Sequence, residues 1–135
     1  MTVRVVGLFR ELVRGSTANL PGASELVGKL SEEVAGQVLR YLGEGVPIID
    51  VMEANLDPID GRTRLSGGPS IETNGRWVWR NDLRYFVEKY RLGLPAEFLA
   101  DVASGAPKLS VAERAQLVER WQEFREAYSH ATSGR

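Results

Sequence analysis

The chain has no cysteine and a single histidine in 135 residues. Without thiols there are no disulfides, no thiolate nucleophile and no zinc ribbon, and the composition fits a reducing compartment. The one histidine, His130, lies close to the C-terminal end. A Ser-His-Asp triad needs an imidazole held by a third group, and a chain end is a poor place to hold one. Charge of one sign is not in excess either: 17 bases and 18 acids leave a net charge of −1. Such a chain has no global attraction to nucleic acid or to an anionic membrane. No apolar run approaches the ~18 residues that mark a membrane span. No basic stretch followed by an apolar one opens the chain as a secretory signal would. The expected location is the cytoplasm. Internal repeats and low-complexity segments are also lacking.

What remains is an ordinary globular composition, 43% hydrophobic and 26% charged, sufficient for one domain with a modest core. That domain is expected over residues 1–130, with 131–135 as a frayed tail. Val5, Leu8, Phe9, Leu12 and Val13 have helical spacing over Val3 to Arg14. A second helical pattern follows Ser24, and Gly28 places its firm part from about Ser31 to Leu42. Pro47 to Ala54 reads as a short helix or as a partly buried extended segment. Asp57-Pro58 and Asp60-Gly61 are turn dipeptides.

The most informative stretch runs from Ser70 to Tyr90. Two strand-like runs flank Asn74-Gly75, a pair that tolerates positive φ at both centres of a type I′ turn. A turn centred there sets Thr73 opposite Arg76, Glu72 opposite Trp77, Ile71 opposite Val78 and Ser70 opposite Trp79. Trp77 and Trp79 then share one face, and Ile71 and Val78 the other. A lone hairpin is marginal in water, so helices must cover it or a third strand must join it, from Arg62–Leu65 or from Ile48–Met52. The tryptophan face is expected to meet helices, because burying one indole removes about 150–250 Å² from water. Asn81 or Asp82 then opens a helix with Leu83, Phe86, Val87 and Tyr90 on one side. A short helix over Ala96–Ala103 follows Leu94-Pro95. Ser110 and Glu113 form a capping box for a last helix striped by Val111, Leu117, Val118, Trp121, Phe124 and Tyr128. The expected fold is α+β: mostly helical, with a small antiparallel hairpin or three-stranded sheet packed on helices. Trp77, Trp79, Phe86, Tyr90 and Trp121 are its expected core.

Charge is unevenly placed. Residues 41–75 hold Glu44, Asp50, Glu53, Asp57, Asp60 and Glu72 against Arg62 and Arg64, a net of −4. Residues 76–95 hold Arg76, Arg80, Arg84, Lys89 and Arg91 against Asp82 and Glu88, a net of +3. Such blocks either pair within the fold or face different partners. If Pro47–Leu56 is helical, Asp50, Glu53 and Asp57 share one side and could ligate magnesium or serve acid–base chemistry. The simpler reading is a solvated acidic face or salt bridges to the arginines. DPIDG lacks the alternating oxygen ligands and final glutamate of a calcium loop. Gly67-Gly68 precedes a hairpin, whereas a phosphate loop opens a helix. Arg76, Arg80, Arg84 and Arg91, interleaved with Trp77, Trp79, Tyr85 and Tyr90, have the composition of a nucleic-acid surface. The net charge disfavours that use. Trp, Tyr and Arg equally compose protein-binding surfaces, and Tyr85, off the apolar stripe of its helix, is the aromatic best placed for exposure.

Ser66 to Phe98 also carries Gly67-Gly68-Pro69-Ser70, Thr73-Asn74-Gly75, Trp77-Val78-Trp79-Arg80, Asp82-Leu83, Tyr85-Phe86-Val87, Tyr90, Leu94-Pro95 and Phe98. This resembles a group of uncharacterised small proteins of high-GC (actinobacterial) bacteria with the pattern GGSSxxTDGxWVWRxDLxYYVxxYxxxLPxxF. Leu8-Phe9-Arg10-Glu11-Leu12 and Tyr41-Leu42 followed by Gly45 extend the likeness forward. Asn74, Phe86 and Pro69 depart from the pattern. The resemblance implies no catalytic residue and associates the chain with immunity partners of bacterial toxins. The expectation is therefore a non-catalytic protein-binding module, an immunity protein or inhibitor. Asp50, Glu53, Asp57, Arg76, Arg80, Arg84 and Tyr85 are the candidate binding residues, a basic toxin is the candidate partner, and no cofactor or metal is expected. The alternatives are a nucleic-acid-binding or regulatory domain using residues 76–91, and a metal-dependent enzyme using Asp50, Glu53 and Asp57.

Overall fold

The computed structural model describes residues 4–12, 20–105 and 107–121. The expected tail, His130 and the helical positions Phe124 and Tyr128 lie outside the described residues. Among the described residues four α-helices carry the later helical patterns. The first, α1 (Glu32–Leu42), opens on Ser31, whose Oγ accepts from the Val34 N–H at 3.1 Å, and it buries Ala35, Val38, Tyr41 and Leu42. Helix α2 (Leu83–Tyr90) buries Leu83, Phe86 and Val87 and stops where Arg91 turns left-handed at φ 49°. Helix α3 spans Ala96–Ser104. In α4 (Val111–Arg120) the Ser110 hydroxyl accepts from the Glu113 N–H, and the Glu113 carboxylate accepts from the Ser110 N–H.

The hairpin lies at the centre of a larger sheet. Its strands β5 (Ile71–Thr73) and β6 (Trp77–Arg80) are antiparallel. On the outer side of β5 lies β2 (Val46–Ile49), also antiparallel. Along β6 runs β1 (Arg4–Val5), in parallel, to give the order β1-β6-β5-β2. A separate antiparallel ribbon pairs β3 (Ala54–Leu56) with β4 (Arg64–Ser66). Of the two candidate third strands, the one around Ile48 joins the hairpin, while the Arg64 segment pairs with β3. The fold is α+β.

Two expectations are corrected. Residues Arg4 and Val5 are extended, not helical, and the Val6 N–H donates to the Val78 carbonyl at 3.0 Å. Branched Val5 and Val6 suit a strand, and Gly7 at φ 79° ends it; among the described residues of this stretch a 3-10 turn follows over Arg10–Leu12. A side chain at Gly7 would meet the Leu83 side chain at 2.7 Å, so the entry of β1 onto the sheet also needs the missing Cβ. The hairpin register is shifted too. Ile71 pairs with Arg80, Glu72 with Trp79 and Thr73 with Val78. The turn therefore centres on Gly75 and Arg76, with Gly75 alone at positive φ, 92°. Asn74 sits one place before that centre, and its Oδ1 accepts from the N–H groups of Arg76 and Trp77. An asparagine side chain that caps the turn in this way no longer occupies a central position.

Moving the turn centre by one residue changes each partner by two, so the faces survive. Trp77 and Trp79 are buried together with Phe9, Val38, Leu42, Phe86 and Phe98 from the helical layer and the N-terminal segment. Phe98 meets Trp77 edge-on at 5.1 Å and Tyr41 at 5.5 Å. On the other face, Ile71 and Val78 pack with Val46, Ile48 and Ile49 beneath Leu117 and Trp121 of the last helix and its end. That face is fully covered. The sheet is thus a middle layer, with α1, α2 and α3 on one side and α4 on the other.

Candidate functional site

The basic segment that begins in β6 is braced from within the fold. The Trp77 Nε1–H donates to Asp101 at 2.8 Å, and the same carboxylate oxygen lies 3.2 Å from Nε of Arg76. The Trp79 Nε1–H donates to Glu72 at 3.0 Å, and Arg84 donates to the same oxygen at 2.6 Å and to the Leu42 carbonyl at 3.3 Å. Arg80 grips Asp82 through two nitrogens, at 3.2 and 2.8 Å, and reaches Asn55 of β3 at 3.3 Å. Burial pushes the Asp82 carboxyl above its ordinary pKa despite this contact. The indole N–H groups of Trp77 and Trp79 are thereby both satisfied where they are buried.

Asp57 behaves differently from its sequence neighbours. It is fully buried at the turn after β3. Its Oδ2 accepts from the hydroxyls of Tyr85 at 2.6 Å and Tyr90 at 2.7 Å, while Oδ1 accepts from the N–H groups of Ile59 and Asp60. Burial alone would raise its pKa, but these four hydrogen bonds to the charged form outweigh burial and hold it below the ordinary value. Lys89 donates to the Tyr85 hydroxyl and to Asp60, each at 2.9 Å. Asp60 is held well below the usual carboxylate range by the Arg62 N–H, the Thr63 hydroxyl and N–H, and Lys89. Tyr90 is pushed up to about 12, by burial and then by the Asp57 carboxylate. The tyrosine pair and Lys89 therefore fasten the β3–β4 turn to α2. Tyr85, the aromatic best placed for exposure by its spacing, is half-buried with its hydroxyl engaged.

The three carboxylates of the proposed acidic helix are not brought together. Pro47 lies in the edge strand β2, where a missing N–H is tolerated. Asp50 and Glu53 follow in an exposed loop, and Asp57 is buried beyond β3. Among the described residues no group of three His, Cys, Asp or Glu side chains converges as metal ligands. No ion pair or side-chain hydrogen bond engages Asp50 or Glu53 among the described residues. Between them, Met52 is 97% exposed. The segment's two arginines, Arg62 and Arg64, sit towards the other end of the β3–β4 ribbon.

Sequence reasoning missed Glu72, Asp82, Asp101, Asp60 and Lys89 as partners and Met52 as an exposed apolar group. Glu72 and Asp82 could have been found: each is an acid beside the tryptophan–arginine run. Asp101 carries no such local signal, since 24 positions separate it from Trp77. No helix among the described residues is long and apolar enough to cross a membrane. No family model, no curated protein and no solved structure matches this chain.

Proposed function

We propose that the protein is a non-catalytic binding module that recognises another protein, in the role of an immunity protein or inhibitor neutralising a basic bacterial toxin. One observation carries the reading. Of the five bases in residues 76–95, Arg76, Arg80, Arg84 and Lys89 are held by Asp101, Asp82, Glu72 and Asp60, while Asp50 and Glu53 stay exposed and, among the described residues, unengaged. Four cations of the basic block thus work inside the fold, and the carboxylates of the loop before it are among the groups left for a partner. Electrostatic complementarity of this kind favours a basic protein surface. The nucleic-acid reading draws less support, because backbone phosphates need free cations and these cations already have carboxylates.

The test is binding and protection. Mixed with the purified toxin encoded beside it, the protein should form a stable complex and rescue growth of toxin-expressing cells. Deletion of its gene with toxin resistance intact, and no complex with that toxin, would remove the reading. Retention of single-stranded RNA at low salt, lost in the Arg76→Ala, Arg80→Ala double variant, would replace it with the nucleic-acid alternative.

A further inference from the structure

Beside Asp50 and Met52 lies a groove of about 530 Å³ between the end of β2 and the turn that joins β4 to β5. Pro47, Asp50, Met52, Ile71, Glu72 and Asn81 are among the residues that line it. Three of these features point to a kind of occupant. Among the described residues the Asp50 carboxylate has no partner, and Glu53, next to the groove in sequence, has none either. Glu72 is the second carboxylate of the lining, with its Oε1 already taken by Trp79 and Arg84. Met52 and Pro47 are exposed apolar groups at the mouth, with Ile71 buried behind them. A flexible thioether adapts to whatever lies against it. A lysine or arginine buries its aliphatic stem on such a surface while its charged head reaches a carboxylate.

Resting on the protein-binding reading above, we infer that this groove is the docking site for a lysine- or arginine-bearing segment of the partner protein, with the stem on Met52 and Pro47 and the head on Asp50. The second concavity, about 410 Å³ between the hairpin tip and α4, carries Arg76, Arg120 and Glu113 on its walls. The two cavities therefore differ in charge: carboxylates are the charged groups lining the first, and both signs line the second.

The experiment is an NMR titration of the labelled full chain with a synthetic peptide of alternating lysine and valine, run beside its glutamate–valine counterpart. Shifts should move at Asp50 to Glu53, Ser66, Gly67 and Asn81 with the lysine peptide alone. Asp50→Asn with Glu53→Gln should weaken that binding about tenfold and remove most of its salt dependence. Met52→Ser, which leaves charge unchanged, should weaken it about threefold to tenfold by removing apolar contact. All three residues are exposed, so circular dichroism of the variants should match the parent. Shifts confined to the Arg76 cavity, no binding of the lysine peptide, or equal affinity in the variants would each overturn the assignment. So would concentration-dependent dimerisation abolished by Met52→Ser, which would seat a second copy in the groove. A toxin complex that forms with unchanged affinity in these variants would sink the groove and leave the protein-binding reading standing. Absence of any complex would sink that reading itself.

Discussion

Asp57 is the residue whose environment departs most from its appearance in sequence. In DPID it looks like a turn aspartate, yet it is fully buried and holds two tyrosine hydroxyls and two backbone N–H groups. Four donors around one carboxylate need its negative charge. Asp57→Asn keeps the shape but turns an acceptor into a donor that faces other donors. Leaving buried groups unsatisfied costs about 1–3 kcal/mol, and that is the loss of stability expected in urea denaturation. Tyr90→Phe removes one donor and leaves the carboxylate with three, so its effect should be smaller. An Asp57→Asn variant as stable as the parent would show that these bonds contribute nothing net. A second residue-scale constraint sits at Gly45. A methyl group there would overlap the ring of Trp79, which is wholly buried and cannot retreat. Gly45→Ala should cost about 1–3 kcal/mol through overpacking and change the near-ultraviolet circular dichroism of the indole.

At the scale of elements, α4 decides whether the sheet is a middle layer or a half-exposed one. Leu117 and Trp121 are what cover Ile71, Val78 and the isoleucines of β2. Leu117→Ala should cost about 2–5 kcal/mol, the range for truncating a buried leucine. The loss should appear as a lower urea midpoint and as faster hydrogen exchange in β2 and β5. Unchanged exchange there would mean that α4 is not needed to protect that face. These elements also show what was legible beforehand. Alternation in Ile71–Thr73 and Trp77–Arg80 fixed the two faces, because face identity depends only on parity and survived the shift of the turn by one residue. The stripes of α1 and α2, the Leu117 and Trp121 positions of the last stripe and the cap at Ser110 were legible because each is a local pattern, whereas the cap expected at Ser24 falls on Ser31 and Val111 is exposed. The strand at Arg4–Val5 was not. Its helical spacing competed with its branched residues, and the open edge of β6 that decided the outcome lies more than 70 positions away.

For the whole molecule, the opposed charge blocks were visible in the sequence, but their use was not. Whether Arg80 and Arg84 faced solvent or carboxylates depended on where Asp82 and Glu72 pointed, and spacing alone does not say. The acidic cluster failed for a related reason: extended backbone through β2 and β3 separated residues that a helix would have stacked. Internal pairing makes stability depend on pH in a defined way. Asp57 and Asp60 titrate below their ordinary values in the folded chain. Their contribution is present above the unfolded carboxylate pKa of about 3.9 and is lost as pH falls through their lower folded values. Asp82 has the opposite sign: its raised pKa contributes stability below about pH 4 that is lost as pH rises through the folded value. Two groups thus oppose one on the acid limb. Asp60→Asn should flatten the fall of the thermal midpoint between about pH 5 and pH 2, and Asp82→Asn should steepen it. On the alkaline side, Tyr90, raised to about 12, and Lys89, also raised, contribute stability present below about pH 10 and lost as pH climbs through their folded values. Tyr90→Phe should flatten that limb, and ultraviolet titration of the parent should show one tyrosinate forming near pH 12. Parallel midpoint curves for the parent and both aspartate variants would mean that these contacts do not differ between folded and unfolded chains, and the charge blocks would then be free to face other molecules.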